Sequence, residues 1–317
     1  MAPNYFDVIA GLKDAWVKFK DKDVLRWTAI YMVGELAIML GMFITLIGVI
    51  VFGASGKGDA VPLLVGFAVL LAELAGLVAF AAYAIPRTVR AAMKAQNIPL
   101  AKNPPSVLDY FVFSVRLTLV NLSCWYDRKL LAPALALLVL TVLATFAAFV
   151  LNGGILPWIP AIVLASLFAC AWGAAALVHA ERTKFAVHMY LRGDGTEREM
   201  PLKSYRLVHG QTFEVFLAGF LGGAGLYVIR TIIDIFGRVL MYMLLIPLFL
   251  LGAGVGSGGM LVLGILLAVL LFLASVFAWA FIEMALWRVY LAGMFKYYDK
   301  MGPVKKKAGD KTRKKTL

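Results

Sequence analysis

The chain contains few of the residues from which enzymes build metal or redox sites. It has two cysteines and three histidines in 317 residues. Cys124 and Cys170 are predicted at different membrane depths, so no disulfide is expected between them. The histidines lack metal-ligand spacing, and neither a nucleophile–base pair nor a cofactor motif is visible. We therefore expect no metal, no cofactor and no enzymatic activity.

Charge is also scarce, and long apolar blocks take its place. Hydrophobic residues make up 62% of the chain and the mean hydropathy is +0.86, which is more apolar surface than one soluble core could bury. The composition predicts an all-α polytopic membrane protein. Six blocks are each near the ~20 residues that a helix needs to cross the hydrocarbon core. They are residues 27–52, 61–86, 131–151, 156–180, 232–253 and 260–286.

The basic residues are distributed unevenly around these blocks. Of the 31 Lys and Arg residues, 28 lie in four stretches, which are residues 1–26, 87–130, 181–214 and 287–317. The turns on the opposite side contain one base, Lys57. Because Lys- and Arg-rich loops stay in the cytoplasm, we predict a multi-pass protein of the cell membrane with both termini cytoplasmic. The net charge of +13 then predicts contact with anionic headgroups, and no specific nucleic acid is expected.

The blocks are predicted to form three hairpins through short turns at residues 53–60, 152–155 and 254–259. An amphipathic interfacial helix is expected before each hairpin. In the first such helix the apolar face is Tyr5, Phe6, Ile9, Leu12, Trp16 and Phe19, with Lys13, Asp14, Lys18 and Lys20 opposite. Residues 1–302 are then a single helical domain with pseudo-repeats over about 1–100, 101–200 and 201–302, and residues 303–317 are a basic, disordered cytoplasmic tail.

The third unit leaves alternatives open, because residues 215–229 could be re-entrant, interfacial or spanning. One continuous span over 215–253 would reach ~57 Å, roughly twice the thickness of the hydrocarbon core. We therefore favour a separate interfacial or re-entrant helix over residues 205–231. The elbow acids Asp21, Asp127 and Asp234, at intervals of 106 and 107 residues, support a threefold repeat.

Three pieces of the chain share a loose pattern of an amphipathic helix, a charged elbow and a span. They are residues 15–23, with Trp16 and the elbow Lys20-Asp21-Lys22-Asp23, the exit around residues 180–193, and residues 210–225. In these pieces the chain resembles a poorly characterised prokaryotic family of six-span membrane proteins. A clear Trp-containing opening of the fifth span is missing. The resemblance implies three units of an amphipathic helix plus a helical hairpin, and it implies no activity.

Two acids fall inside apolar blocks, where a charge costs ~2.5–3.5 kcal/mol on insertion scales. Glu35 and Glu73 lie on neighbouring helices with a predicted depth gap of ~8 Å. If they shared a proton or a cation, they would form a transport or relay site. The favoured alternative is that each is protonated, or hydrogen-bonded to Tyr31, Thr45 or Tyr83, and joins helices.

Two basic features are candidates for lipid contact. Arg230, Asp234 and Arg238 share one helical face and could bind an anion or a headgroup, although a salt-bridged elbow is favoured. The tail would gain about 1 kcal/mol per base beside anionic lipid. Its bases are Lys305, Lys306, Lys307, Lys311, Arg313, Lys314 and Lys315.

Two functions remain in competition. The first is a non-enzymatic membrane scaffold, assembly factor or accessory subunit that acts through its cytoplasmic face, with a membrane-protein partner or a second copy of the chain. The alternative is a transporter or channel for a small solute or cation that uses Glu35 and Glu73. The second hairpin has no carboxylate, which weighs against a repeat-symmetric transport site.

Overall fold

The computed structural model of the protein describes residues 6–54, 60–151, 155–254 and 258–302. All regular structure in these ranges is helical, and six helices are long and apolar enough to cross a membrane. The prediction of an all-α polytopic protein with six candidate spans is therefore confirmed. The predicted tail 303–317 and the centres of the three predicted outer turns lie outside the described residues.

The first three helices are α1 (Val8–Lys18), α2 (Lys22–Ala54) and α3 (Ala60–Ala95). The Asp7 side chain caps α1 by accepting a hydrogen bond of 3.0 Å from the backbone N–H of Ala10. Between α1 and α2, the Asp21 N–H donates a hydrogen bond of 3.1 Å to the Lys18 carbonyl. α2 and α3 contact each other along their lengths.

Five helices follow, and they are α4 (Val107–Leu122), α5 (Ala132–Leu151), α6 (Ile159–Arg182), α7 (Ala186–Arg192) and α8 (Met200–Val208). α4 begins with a capping box, in which the Ser106 side chain binds the Asp109 N–H and the Asp109 carboxylate binds the Ser106 N–H. α7 ends at Gly193, whose φ of +87° suits glycine. α5 and α6 contact each other as α2 and α3 do.

The last two helices are much longer than a bilayer requires. α9 (Thr212–Gly254) has 43 residues and α10 (Gly258–Met301) has 44, so each spans about 65 Å. The prediction of a separate helix over residues 205–231 is wrong, because α9 is continuous through residue 231. The surplus length packs against α10, where the Tyr290 hydroxyl donates a 2.7 Å hydrogen bond to the Ala218 carbonyl.

The helices belong to two compact units. The first contains the described residues of Met1–Pro99 and Leu217–Lys296, and the second those of Leu100–Phe216 and Tyr297–Leu317. One boundary, between Pro99 and Leu100, falls at the end of the first predicted pseudo-repeat, and the repeat itself stays a prediction. The first unit therefore combines α1, α2 and α3 with most of α9 and α10.

The tightest packing lies in the charged parts of the chain. We call residues 6–26, 87–130, 181–214 and 287–302 the basic segments, since they are the described parts of the four Lys- and Arg-rich stretches. Among the residues whose burial the structure describes, eleven of the twelve largest fully buried side chains lie in these segments, and the other is His179. In contrast, the most apolar 18-residue windows of α2 and α3 contain no buried residue. The apolar segments thus direct their side chains outward, as lipid contact requires.

A matching pair of hydrogen bonds relates the second and third predicted repeats. The indole N–H of Trp172 donates to the Leu122 carbonyl at 3.0 Å, and that of Trp279 donates to the Arg230 carbonyl at 2.9 Å. The two indoles are 107 residues apart, and so are the second and third elbow acids. In both places the second helix of a pair is fixed to the backbone of an earlier helix.

Candidate functional site

The two intramembrane acids have separate partners. Glu73 accepts a hydrogen bond of 3.1 Å from Thr45, and its Oε1 lies 3.2 Å from where a Cβ on Gly41 would be. Its Oε2 is buried and has no hydrogen-bond partner within the described residues. Glu35 lies one turn after Tyr31 on the same helix and interacts electrostatically with its hydroxyl.

The structure does not bring these two carboxylates together. Glu73 rests against positions 41 and 45 of α2, whereas Glu35 is six to ten residues earlier on that helix. At a rise of 1.5 Å per residue this corresponds to about 9–15 Å along the helix axis. The separation exceeds the depth gap of ~8 Å predicted from the sequence. Glu73 contacts α2 at residues 41 and 45, whereas Glu35 interacts within α2.

The predicted Arg-Asp-Arg ladder is divided between two partners. Arg238 forms an i, i+4 ion pair of 2.7 Å with Asp234 on α9. Arg230 binds across to α10, where its Nη1 lies 3.1 Å from Glu283 Oε2. The Arg238 side chain is 56% exposed, and such pairs contribute about 0.3–0.5 kcal/mol. Arg230 is therefore the ladder residue that joins two helices.

Beside this ion pair, an open-sided cavity of about 510 Å³ lies between α9 and α10 in the first unit. Its wall is mostly apolar and includes one acid and one base. The lining residues are Gly223, Leu226, Ala280, Glu283, Met284, Trp287 and Arg288. The sequence analysis did not single out this site. Its available signal was a Glu and an Arg close together at the end of an apolar block.

A second polar centre fixes α1 to the rest of the first unit. Gln96 is 2% exposed. Its Oε1 accepts from Lys18 at 2.9 Å, and its Nε2 donates to the Asp14 carboxylate at 2.7 Å and to the Val289 carbonyl at 3.3 Å. Lys296 donates to the Gln96 carbonyl at 2.6 Å. One amide thus connects α1, the end of α3, and α10.

This arrangement corrects the predicted faces of α1. Asp14 and Lys18 were placed on the polar face opposite the membrane, but they contact Gln96. Leu12 and Phe6, from the predicted lipid face, pack within the unit, since Phe6 lies edge-on to Tyr290 with ring centroids 5.5 Å apart. Leu12 lies against Gly225, where a Cβ would come within 2.8 Å of its Cδ1.

The Gln96 centre also sets the charge state of α1. Burial acts to raise the pKa of Asp14, but the hydrogen bonds from Lys18 and Gln96, with the nearby Lys296, lower it below its ordinary value of 3.8. Asp14 is therefore ionised in the folded protein at neutral pH. Its attraction for Lys18, at 2.7 Å, keeps α1 seated.

The second unit contains a buried histidine with a complete set of partners. His179 Nε2 accepts a hydrogen bond of 3.3 Å from the Tyr126 N–H, so Nδ1 carries the proton and donates to Asn121 Oδ1 at 3.1 Å. The Thr183 hydroxyl donates to the same oxygen at 2.7 Å. Because each ring nitrogen is satisfied, we assign this cluster to structure. Nearby, burial raises the pKa of the Cys124 thiol.

The three elbow acids have three different roles. Asp21 caps α2 by accepting from the Asp23 N–H at 2.9 Å. Asp127 binds Arg182 at 2.5 Å, and both side chains are largely buried, at 21% and 15% exposed. Asp234 lies inside α9 and pairs with Arg238 on its own helix. Their regular sequence interval therefore does not reflect one conserved contact.

The polybasic candidates of the tail lie outside the described residues, and they are Lys305, Lys306, Lys307, Lys311, Arg313, Lys314 and Lys315.

No family model matches the chain, and neither a curated protein nor a solved structure matches it. The assignments above therefore rest on the contacts of this chain alone.

Proposed function

We propose that the protein is a non-enzymatic integral membrane protein, a scaffold, assembly factor or accessory subunit, whose basic segments face the cytoplasm. One observation carries the proposal. Most of the large, fully buried side chains belong to the basic segments, while the apolar windows of α2 and α3 bury none. The parts whose side chains pack into a core are thus those predicted outside the lipid, where a partner could bind them.

The charge of these segments supports an acidic partner. They contain 21 Lys and Arg residues against 12 Asp and Glu residues, a net charge of +9. A surface of one sign steers a partner of the opposite sign and attracts anionic headgroups. A membrane protein with an acidic cytoplasmic face, lying on anionic lipid, meets both conditions.

α1 offers the most specific surface for such contact. Its exposed stripe follows helical spacing and combines Ile9, Lys13, Trp16, Val17 and Lys20. Ile9 and Val17 are 68% and 71% exposed, so the stripe presents apolar surface beside its two bases. Because the opposite side of α1 is fixed by Gln96, this stripe is presented in one orientation.

Affinity purification from native membranes after crosslinking tests the proposal. We expect the chain to be recovered with a reproducible partner, and we expect Lys13→Glu with Lys20→Glu to reduce that recovery. Lys57→Glu is the matched control, because Lys57 is the base predicted on the opposite side of the membrane. Repeated recovery of the chain alone, from membranes that retain their native lipids, would contradict the proposal.

A second candidate function is transport, and one observation favours it. The buried Oε2 of Glu73 has no hydrogen-bond partner in the described chain and leaves an acceptor for a solute or a cation. Solute and proton flux in liposomes would be compared between the native chain and Glu35→Gln with Glu73→Gln. Leak-level flux in both would remove this candidate.

Membership of the six-span family also remains a prediction.

A further inference from the structure

We propose that the cavity between α9 and α10 binds the headgroup of an aminophospholipid, a lipid that carries a primary ammonium and a phosphate. The site lies where the apolar part of α10 ends, next to the Arg230–Glu283 ion pair. A cavity of about 510 Å³ has room for a headgroup and the upper part of its chains, and its open side lets the chains extend into lipid. This inference does not depend on the scaffold role.

The polar side of the cavity has both signs of charge. Glu283 and Arg288 line it together. Arg230 occupies Glu283 Oε2 at 3.1 Å, and a carboxylate accepts hydrogen bonds at both oxygens, so Oε1 can accept an ammonium. The Arg288 guanidinium suits phosphate oxygens. A zwitterionic headgroup with N–H donors complements this pair, whereas a quaternary ammonium has no hydrogen to donate.

The rest of the wall suits acyl chains. Leu226, Ala280 and Met284 present aliphatic surface, and Trp287 adds an indole of the kind found at membrane interfaces. Gly223 keeps the cavity open, since a Cβ there would lie 3.9 Å from the Trp287 ring, at ordinary contact distance. A Cβ at residue 223 is therefore accommodated, and a larger side chain there would extend toward Trp287 and occupy cavity space.

The test uses quenching of Trp287 fluorescence by phospholipids with dibrominated acyl chains. Purified full-length protein in mixed micelles is titrated with phosphatidylethanolamine, phosphatidylcholine or phosphatidylglycerol, and the Trp287→Phe signal is subtracted. We expect phosphatidylethanolamine to bind about tenfold more tightly than phosphatidylcholine, which corresponds to one hydrogen bond between charged groups. Competition with inorganic phosphate distinguishes a lipid site from a free-anion site, and we expect no displacement.

Variants assign the preference to named groups. Glu283→Gln should remove the preference for phosphatidylethanolamine, and Arg288→Gln should weaken both zwitterionic lipids about tenfold. Gly223→Leu, which keeps all charges, should abolish saturable quenching. Arg238→Gln is the control, because Arg238 pairs with Asp234 and does not line the cavity. Equal quenching by all three lipids, tighter binding of phosphatidylglycerol, displacement by phosphate, or a preference that survives Glu283→Gln would each overturn the proposal.

Discussion

Gln96 offers the sharpest perturbation of the first unit, because one side chain connects three helices. Gln96→Ala removes the acceptor for Lys18 and the donor for Asp14 and the Val289 carbonyl. The bond from Lys296 goes to the backbone carbonyl of residue 96 and is kept. The substitution therefore tests the side-chain amide alone.

The expected cost follows from the number and exposure of these partners. A hydrogen bond to a charged group contributes ~1.5–3 kcal/mol when both partners are buried. The Asp14 and Lys18 side chains are 43% and 27% exposed and remain paired with each other at 2.7 Å, so water replaces part of the loss. We expect Gln96→Ala to lower the free energy of unfolding by about 2–3 kcal/mol. The apparent Tm should fall by roughly 4–10 °C.

Gln211→Ala is the matched control. Gln211 is 5% exposed and makes one hydrogen bond, from its Nε2 to the Leu207 carbonyl at 3.1 Å. Its loss should cost about 1 kcal/mol. Thermal unfolding in detergent can be followed by circular dichroism, which reports the helices of both units. Hydrogen exchange in α1 should accelerate in Gln96→Ala alone. Equal Tm shifts for both variants, with unchanged exchange in α1, would refute the reasoning.

Two further substitutions test packing and charge. Gly222→Ala should destabilise the protein by about 1–3 kcal/mol, since its Cβ would lie 2.3 Å from the Tyr290 ring. Gly223→Ala should be neutral or stabilising by up to about 1 kcal/mol. Thermal unfolding of the two variants distinguishes these outcomes. Arg182→Gln should lower the free energy of unfolding by about 2–4 kcal/mol, because it leaves the largely buried Asp127 without its 2.5 Å partner. Adding Asp127→Asn should recover part of that stability in a double-mutant cycle. Additive losses would contradict the pairing.

The sequence predicted the class and the number of candidate spans because hydropathy decides both. An apolar block of about 20 residues has few structural alternatives to a spanning helix, and short loops leave few ways to connect such helices. The capping and turn residues are equally local, as Ser106 and Asp109 at the start of α4 illustrate. These features depend on residues within one or two turns of each other.

Features that depend on a distant partner were not predictable in this way. The first turns of α9, which exceed the length of a span, pack against the equally extended α10. Tyr290 of α10 donates a hydrogen bond to the Ala218 carbonyl of α9 there. A break was predicted there from helix length, because the bilayer was the only packing partner considered for the helix. The faces of α1 were assigned by periodicity, which identifies a stripe but not what covers it. Gln96, far along the chain from Asp14, decided that question.

The candidate sites show the same limit. Glu35 and Glu73 were identifiable because an acid in an apolar block is rare, but their partners and their separation required coordinates. The cavity beside Arg230 and Glu283 was missed since its lining comes from two helices that the sequence did not pair residue by residue. Single residues of unusual chemistry are visible in a sequence, whereas a concave surface is not.

Sided labelling of single cysteines tests the central claim that the basic segments share the cytoplasmic side of a six-span protein. In a Cys124→Ala, Cys170→Ala background, Lys57→Cys should react with a membrane-impermeant maleimide in intact cells. Lys20→Cys and Lys311→Cys should react only after the membrane is permeabilised. Labelling of residue 311 in intact cells, with residue 20 still protected, would require an odd number of crossings and would contradict the account.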